Sequence, residues 1–397
     1  MRSSTILLAC AALLVPTILF TVNAARPETP DLAPPASAAP RSVAPRAKMQ
    51  AQAGVVWDKT SLHLLARDGN YPRMIRLRGG DLACGYGDGD GEKAKRSRDN
   101  GATWSEGVLV APKQTGANFA NAELLQLQNG DILFFCNLRP FKEPLDPPLH
   151  FSIGVSRSKD GGVSWSPVEL VYKAGTRFSD GCWEPAALQL PSGEVQLFFA
   201  DEGPYTRSDE QQISLMRSLD GGQTWTAPRP ASFRAGHRDG MPVPAQLRDG
   251  NLAFAIEDNG ARGTFKPAII GTSRVDNWVG VVSADSPNRW SALQTPLEPR
   301  VYAGAPYLRV LKSGETALSF QQADDGELEH SQMVVCLGDQ TAHKFAGNSR
   351  PFEGFKTGSQ LWGALFVKDE RTLVALTSTK IGDAYGVWTI EGHLEGK

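Results

Sequence analysis

The sequence predicts an all-β chain folded as a six-bladed β-propeller of four-stranded antiparallel blades, and two interleaved repeats predict it. The first is Ser97-Arg98-Asp99-Asn100-Gly101-Ala102-Thr103-Trp104. It returns as Ser158-Lys159-Asp160-Gly161-Gly162-Val163-Ser164-Trp165 and as Ser218-Leu219-Asp220-Gly221-Gly222-Gln223-Thr224-Trp225. The starts lie 61 and 60 residues apart, an interval that marks an array of equal supersecondary units. A degenerate fourth copy, without its glycines, is expected at Ser283-Ala284-Asp285 with Trp290. Each copy reads as a tight turn: Asp accepts from nearby backbone N–H groups, Gly supplies positive φ, and Trp covers the turn with an apolar ring. Asp99, Asp160 and Asp220 are therefore expected to be structural.

The second repeat is a hairpin signature, an apolar run, a Gly-acid turn and a second apolar run. In chain order the turns fall at Gly80-Asp81, Gly130-Asp131, Gly193-Glu194, Gly250-Asn251 and Gly314-Glu315. A sixth, without glycine, falls at Glu370-Arg371 between Leu365-Phe366-Val367 and Leu373-Val374-Ala375-Leu376. Six hairpins alternating with Asp-containing turns give six blades, and radial arrangement leaves only short sheet edges. The repeats from residue 54 to 395 allow roughly 57 residues per blade, enough for long loops. Closure is expected by pairing of Val55-Val56-Trp57 with a strand near Val387-Trp388-Thr389-Ile390.

The remainder of the 397 residues is accounted for by the N-terminus. Arg2 precedes an apolar run from Ile6 to Phe20, and Val22-Asn23-Ala24 offers a cleavage site. Residues 1–24 are thus expected to be a signal peptide, 25–53 an Ala/Pro-rich linker, and 54–397 the propeller catalytic domain. Periplasmic or secreted location follows. A net charge of −2 with 21% charged residues argues against an electrostatic nucleic-acid footprint, and the short leader against a stable membrane anchor. Cys84, Cys136, Cys182 and Cys336 lack metal-site spacing, and no cofactor or metal is implied. A monomer is expected.

Blade geometry places the chemistry. The start of each first strand and the end of each second strand meet on one rim. This gathers Tyr71, Arg73, Glu123, Trp183, Glu184, Arg238 and Asp239 with Asp88, Arg139, Asp201 and Glu257, and Tyr302 beside them. Two carboxyls among aromatics suit glycoside hydrolysis, in which one protonates the leaving oxygen and the other attacks the anomeric carbon or activates water. Glu184, between Trp183 and Pro185, and Glu257, ending the apolar run Leu252–Ile256, stand in settings that raise a carboxyl pKa. They are the catalytic candidates; the other ten are expected to bind substrate or orient the pair. Exclusion of water by Trp183 and Pro185 favours Glu184 as acid/base and Glu257 as nucleophile.

The Asp-containing repeats resemble those of the sialidase-like Asp-box (BNR repeat) propeller superfamily. Tyr71-Pro72-Arg73, Trp183-Glu184-Pro185 with Gly193-Glu194-Val195-Gln196 and Asp201-Glu202, and the later Glu257 resemble glycoside hydrolase family 93. That resemblance implies an exo-acting α-1,5-L-arabinanase that releases arabinobiose with retention, its two catalytic glutamates falling on Glu184 and Glu257. Two alternatives remain at this point. An exo-α-sialidase would need three arginines and a tyrosine assisted by glutamate; Arg73 alone sits in a matching stretch. A non-catalytic carbohydrate- or protein-binding propeller is the other.

Overall fold

A computed structural model describes residues 54–141 and 146–395; the expected leader and linker lie outside the described residues. The chain forms six four-stranded antiparallel sheets. Blade one is β2 (Asn70–Arg76), β3 (Leu82–Asp88), β4 (Gly91–Ser97) and β5 (Val108–Pro112), following the long β1 (Val55–Arg67). Blade two is β6 (Ala117–Gln126), β7 (Ile132–Pro140), β8 (Ser152–Ser158) and β9 (Glu169–Lys173). Blade three is β10 (Cys182–Gln189), β11 (Val195–Asp201), β12 (Gln212–Ser218) and β13 (Arg229–Ser232). Blade four is β14 (Asp239–Gln246), β15 (Leu252–Asp258), β16 (Lys266–Thr272) and β17 (Arg289–Ser291). Blade five is β18 (Tyr302–Val310), β19 (Thr316–Ala323), β20 (Gln332–Gly338) and β21 (Ala346–Ser349). Blade six is β22 (Leu361–Val367), β23 (Thr372–Ile381) and β24 (Ala384–Leu394), completed by β1, so the two ends of the ring share one sheet. Val55 pairs with Leu394 and Trp57 with Gly392. That is the expected closure, in a register that sets Val387 opposite Ala66.

Both repeats have the predicted roles. In the hairpins, the N–H of Leu77, Leu127, Leu190, Leu247 and Leu311 donates to the carbonyl of the residue four on, at 2.7–2.8 Å. The intervening glycines hold φ between 85° and 97°, a region closed to most side chains. In the Asp turns, Asp99 Oδ1 accepts from Ser97 Oγ and the Thr103 N–H, each at 2.8 Å. Asp160 and Asp220 repeat the arrangement. The half-buried Trp165 meets Phe134 edge-on at 5.7 Å, and Trp225 meets Phe135 at 6.1 Å. The fourth turn differs from expectation. It lies directly after β16, where Ser273 Oγ donates to Asp276 at 2.7 Å and Trp278 is buried on Phe254 at 4.9 Å. Ser283-Ala284-Asp285 falls instead in the loop before β17. The turn's job is kept by different spacing.

Second strands β7, β11 and β15 read as nearly unbroken apolar runs because neighbouring blades cover both of their faces. Phe134, Phe135, Phe198, Phe199 and Phe254 are fully buried there, each stabilising the fold by about 1.5–3 kcal/mol. All four cysteines of the described residues are buried free thiols; they pack as small hydrophobes.

The inner strands β2, β6, β10, β14, β18 and β22 touch one another in turn around the ring. Every one carries a bulge at the same level. At each bulge one non-glycine residue has positive φ: Tyr71 51°, Asn121 63°, Glu184 47°, Met241 50°, Ala305 48° and Trp362 51°. Such conformations cost roughly 1–3 kcal/mol each and persist only where surrounding structure fixes them. A bulge re-aims a side chain, and six in register make a ring of re-aimed side chains at one end of the channel.

Candidate active site

Glu184 belongs to this ring, and Glu257 reaches it from β15. Glu257 pairs with Gly240 and stands one residue before Asp258, so strand alternation sends the two carboxylates to opposite faces. Glu257 Oε2 accepts the Ala305 N–H at 2.8 Å. Its carboxylate lies between two glycines. A Cβ on Gly304 would approach Oε2 to 2.6 Å, and one on Gly240 would approach Oε1 to 3.0 Å. Burial raises the Glu257 pKa, opposed by the Ala305 N–H and by Arg238.

Glu184 is partly buried and interacts electrostatically with Glu257. Burial first, then the charges of Glu257 and Glu202, push it up to about 8, against Arg139 and Arg238. No hydrogen bond from a described residue offsets this. Burial raises both carboxyls, and of the two only Glu257 has, among the described residues, a backbone donor that favours its charged form.

Most of the other expected positions gather with the glutamates or directly beneath them. Trp183 is buried, with the Arg139 guanidinium 4.9 Å above its ring. Arg238 donates to Glu202 Oε1 and acts on both glutamates. Tyr302 accepts from Gln321 Nε2 at 3.0 Å and feels Glu257 and Glu184. Tyr71 interacts with Glu184 from the bulge of β2, two blades away around the ring. Below it, Arg73 is clamped: it lies 3.9 Å from the Tyr71 ring centroid and 4.6 Å from that of Tyr307. It also donates to the Pro72 and Trp362 carbonyls and pairs with Glu123 at 3.5 Å. This buried cluster fills the channel beneath the ring.

Three expected sugar contacts point elsewhere. Asp201 accepts from Ser214 at 2.8 Å inside its own blade and from Tyr172, on the outer strand of blade two, at 3.0 Å. Asp239 accepts from Ser232 at 2.7 Å and pairs with Arg289 at 2.5 Å, on the outer strand β17. Asp88 binds Lys93 at 2.8 Å on the next strand. In each case a cation or hydroxyl on a neighbouring element takes the carboxylate. Beside Asp201 and Asp239, it is Glu202 and Gly240 that face the mouth. Sequence position located these residues at the rim; the face of the strand decides where they point.

Other residues at the site carried no motif. Met241, Ala305 and Trp362 complete the bulge ring and pack with Tyr71 into an apolar floor. Their signal is the alignment of the six inner strands, in which proline follows the bulge residue at Tyr71, Glu184, Met241 and Ala305. Glu92 had no such signal. It is buried, its carboxyl pushed up to about 8 by burial, with the Ala122 N–H, Arg73 and Arg139 opposing and Asp88 adding to the rise.

Fold and repeats together define a six-bladed propeller whose Asp-containing turns are like those of sialidase-like BNR-repeat propellers. A BNR repeat-like domain matches residues 151–264. The sialidase of Bacteroides fragilis is 24% identical over 231 residues, 51% of this chain and 40% of that protein. The chain spans less than half the length of the curated relatives it matches. Among solved structures, a substituted α-L-arabinofuranosidase of Fusarium graminearum, in complex with an iminosugar inhibitor, superimposes with a TM-score of 0.62 at 16% identity. That likeness covers 86% of this chain and 97% of the other. The α-L-arabinanase of Penicillium chrysogenum, complexed with arabinobiose, gives 0.59 at 17% identity over 87% and 98%.

Proposed function

We propose that this chain is a retaining exo-glycoside hydrolase in which Glu184 is the acid/base and Glu257 the nucleophile. The observation that carries the reading is the asymmetry of the pair: two interacting carboxyls, one held neutral by burial and like charge, the other given a backbone donor. Environments that push the pKa values of a carboxyl pair apart assign acid and nucleophile. In the first step Glu184 protonates the leaving oxygen while Glu257 attacks the anomeric carbon; in the second Glu184 deprotonates the incoming water. The plugged channel beneath the ring supports exo action, since it offers a closed end for a terminal sugar. The resemblance to family 93 and the arabinan-active structural neighbours support an arabinanase-like specificity. The apolar run in the N-terminal 24 residues supports an exported enzyme.

One observation favours a second reading, an exo-sialidase. The Tyr302 hydroxyl and the Glu257 carboxylate converge on Gly304, the tyrosine–glutamate couple that sialidase chemistry uses. Against it, Arg73 and Arg309 are spent on Tyr71, Tyr307 and backbone carbonyls. Arg238 is bound to Glu202. These three guanidinium groups are thus already engaged and do not form a clamp for a sugar carboxylate.

The test is hydrolysis of 1,5-arabinan, sialyllactose and xyloglucan oligosaccharides by the parent and by Glu184→Gln and Glu257→Gln. Each variant should lose about three orders of magnitude or more in rate with its fold intact. Azide should restore Glu257→Ala through an inverted glycosyl azide and Glu184→Ala through a retained one. Near-parental turnover in either Gln variant removes that glutamate from the mechanism.

A further inference from the structure

The loop between β9 and β10 contains a single 3-10 turn, Phe178–Asp180, and it holds a phenyl ring in solvent beside the catalytic rim. Phe178 is 64% exposed. Its centroid lies 4.7 Å from that of Trp183, which lies 4.9 Å from Phe151, and Phe151 meets Phe178 edge-on at 6.1 Å. Three rings thus lead from solvent to the residue that precedes Glu184.

The loop is braced to keep that ring in place. Asp180 accepts the Arg177 N–H at 2.7 Å and Arg177 Nε at 2.8 Å, while its own carbonyl accepts the Gly175 N–H at 2.8 Å. Gly175 has to be glycine, since a Cβ there would overlap the Asp180 carboxyl. Arg177 also reaches the Thr206 carbonyl at 3.4 Å, tying two rim loops together. A ring left this exposed adds little to folding. It is fixed in position all the same, which is what a binding platform requires.

We propose that Phe178, backed by Trp183, is the stacking platform for the sugar that departs. Its substrates are then glycans in which the terminal residue is joined to another sugar ring, not to a small or flexible aglycone. The inference rests on the reading of Glu184 as acid, because the group that protonates the leaving oxygen stands on the leaving-group side. A sugar presents an apolar C–H face to an aromatic ring, and the Arg139 guanidinium over Trp183 offers donors to hydroxyls at the edge of the same surface.

The experiment compares the parent, Phe178→Ala and Phe178→Tyr on two substrates with the same terminal sugar. One is the oligosaccharide that the parent cleaves; the other is the glycosyl fluoride, whose leaving group has no ring. Phe178→Ala should raise KM for the oligosaccharide about tenfold or more and leave fluoride turnover within roughly twofold. Phe178→Tyr should restore the parental KM. Equal effects on both substrates, or none on the oligosaccharide, overturn the platform and leave the glutamate assignment standing. If the parent cleaves none of arabinotriose, sialyllactose or a xyloglucan oligosaccharide, the glycosidase reading fails separately. The platform is then judged by titrating those three oligosaccharides against intrinsic tryptophan fluorescence. Binding about tenfold weaker in Phe178→Ala supports it, and equal or undetectable binding in both proteins overturns it.

Discussion

Glu257 Oε2 accepts the backbone N–H of Ala305 at 2.8 Å, so a carboxylate from the second strand of blade four is held by the bulge in the first strand of blade five. The bulge turns that N–H out of its ladder, and the glycines on either side of the carboxylate make room for it. The position of the Glu257 carboxylate therefore depends on two blades keeping their relative place. The same bulge level, in blade three, presents Glu184.

Gly304→Ala tests this cradle. The new methyl would lie 2.6 Å from Glu257 Oε2 and closer still to the Tyr302 hydroxyl, so one of them has to move. Displacement of a reacting group by an ångström costs about 10²-fold in rate. The variant should show such a loss in kcat, with thermal unfolding close to the parent. A kcat within threefold of the parent, roughly 0.7 kcal/mol, would show that the carboxylate needs no such support.

Tyr302→Phe separates the two nucleophile readings. Tyr302 forms no covalent bond in the glutamate mechanism; its hydroxyl accepts from Gln321 and sits by Glu257. Loss of the hydroxyl should cost about tenfold or less, the scale of one hydrogen bond. A collapse of about 10³-fold or more on sialyllactose, with Glu257→Gln less impaired, would move the nucleophile to the tyrosine.

The ring of blades was legible because its turns are chemical: Asp, Gly and Trp at fixed offsets need no tertiary context. The juxtaposition of the two candidate glutamates was legible for a related reason, each standing beside an apolar stretch whose hairpin partner was already placed. What escaped was direction. Asp201 and Glu202 are neighbours in sequence, yet one bonds Ser214 inside the blade and the other joins Arg238 at the mouth. Nor does sequence announce a left-handed bulge at Trp362 or Met241, residues that ordinarily avoid it. The fourth Asp turn was misplaced because Ser273, Asp276 and Trp278 achieve the same hydrogen bond and cover with different spacing.

Arg289 should prove structural despite its carboxylate neighbours. It joins Asp239 at 2.5 Å and Asp258 at 2.8 Å, both carboxylates fully buried, and Arg234 reaches Asp258 at 3.0 Å. Arg289, Asp258 and Arg234 border a cavity of about 250 Å³ on the flank of blade four, lined also by Trp290 and Leu293. Arg289→Met strands Asp239 and leaves Asp258 to Arg234 alone, and should destabilise the fold by about 3–5 kcal/mol. Urea unfolding measures it; kcat of the folded fraction should stay near the parental value. Unchanged stability, or a selective loss of kcat, would return Asp239 to the binding site.

The pH profile tests the proton on Glu184. As the acid it must be protonated in the free enzyme, so kcat/KM should fall as pH rises through about 8. The acid limb belongs to ionisation of Glu257, whose pKa burial raises, and the two limbs report the coupled pair. Removing one repelling charge gives the sharper check. Glu202→Gln should ease ionisation of Glu184 and move the alkaline limb to lower pH. Stability carries the same sign: a carboxyl whose folded pKa is raised binds its proton more tightly in the folded state. Its contribution is complete below the unfolded value of about 4.5 and is lost as pH rises through about 8. Glu184→Gln should therefore gain Tm relative to the parent at pH 9 compared with pH 4. A parent and variant that lose Tm in parallel between those pH values, together with an alkaline limb unmoved in Glu202→Gln, would place the titrating proton on some other group.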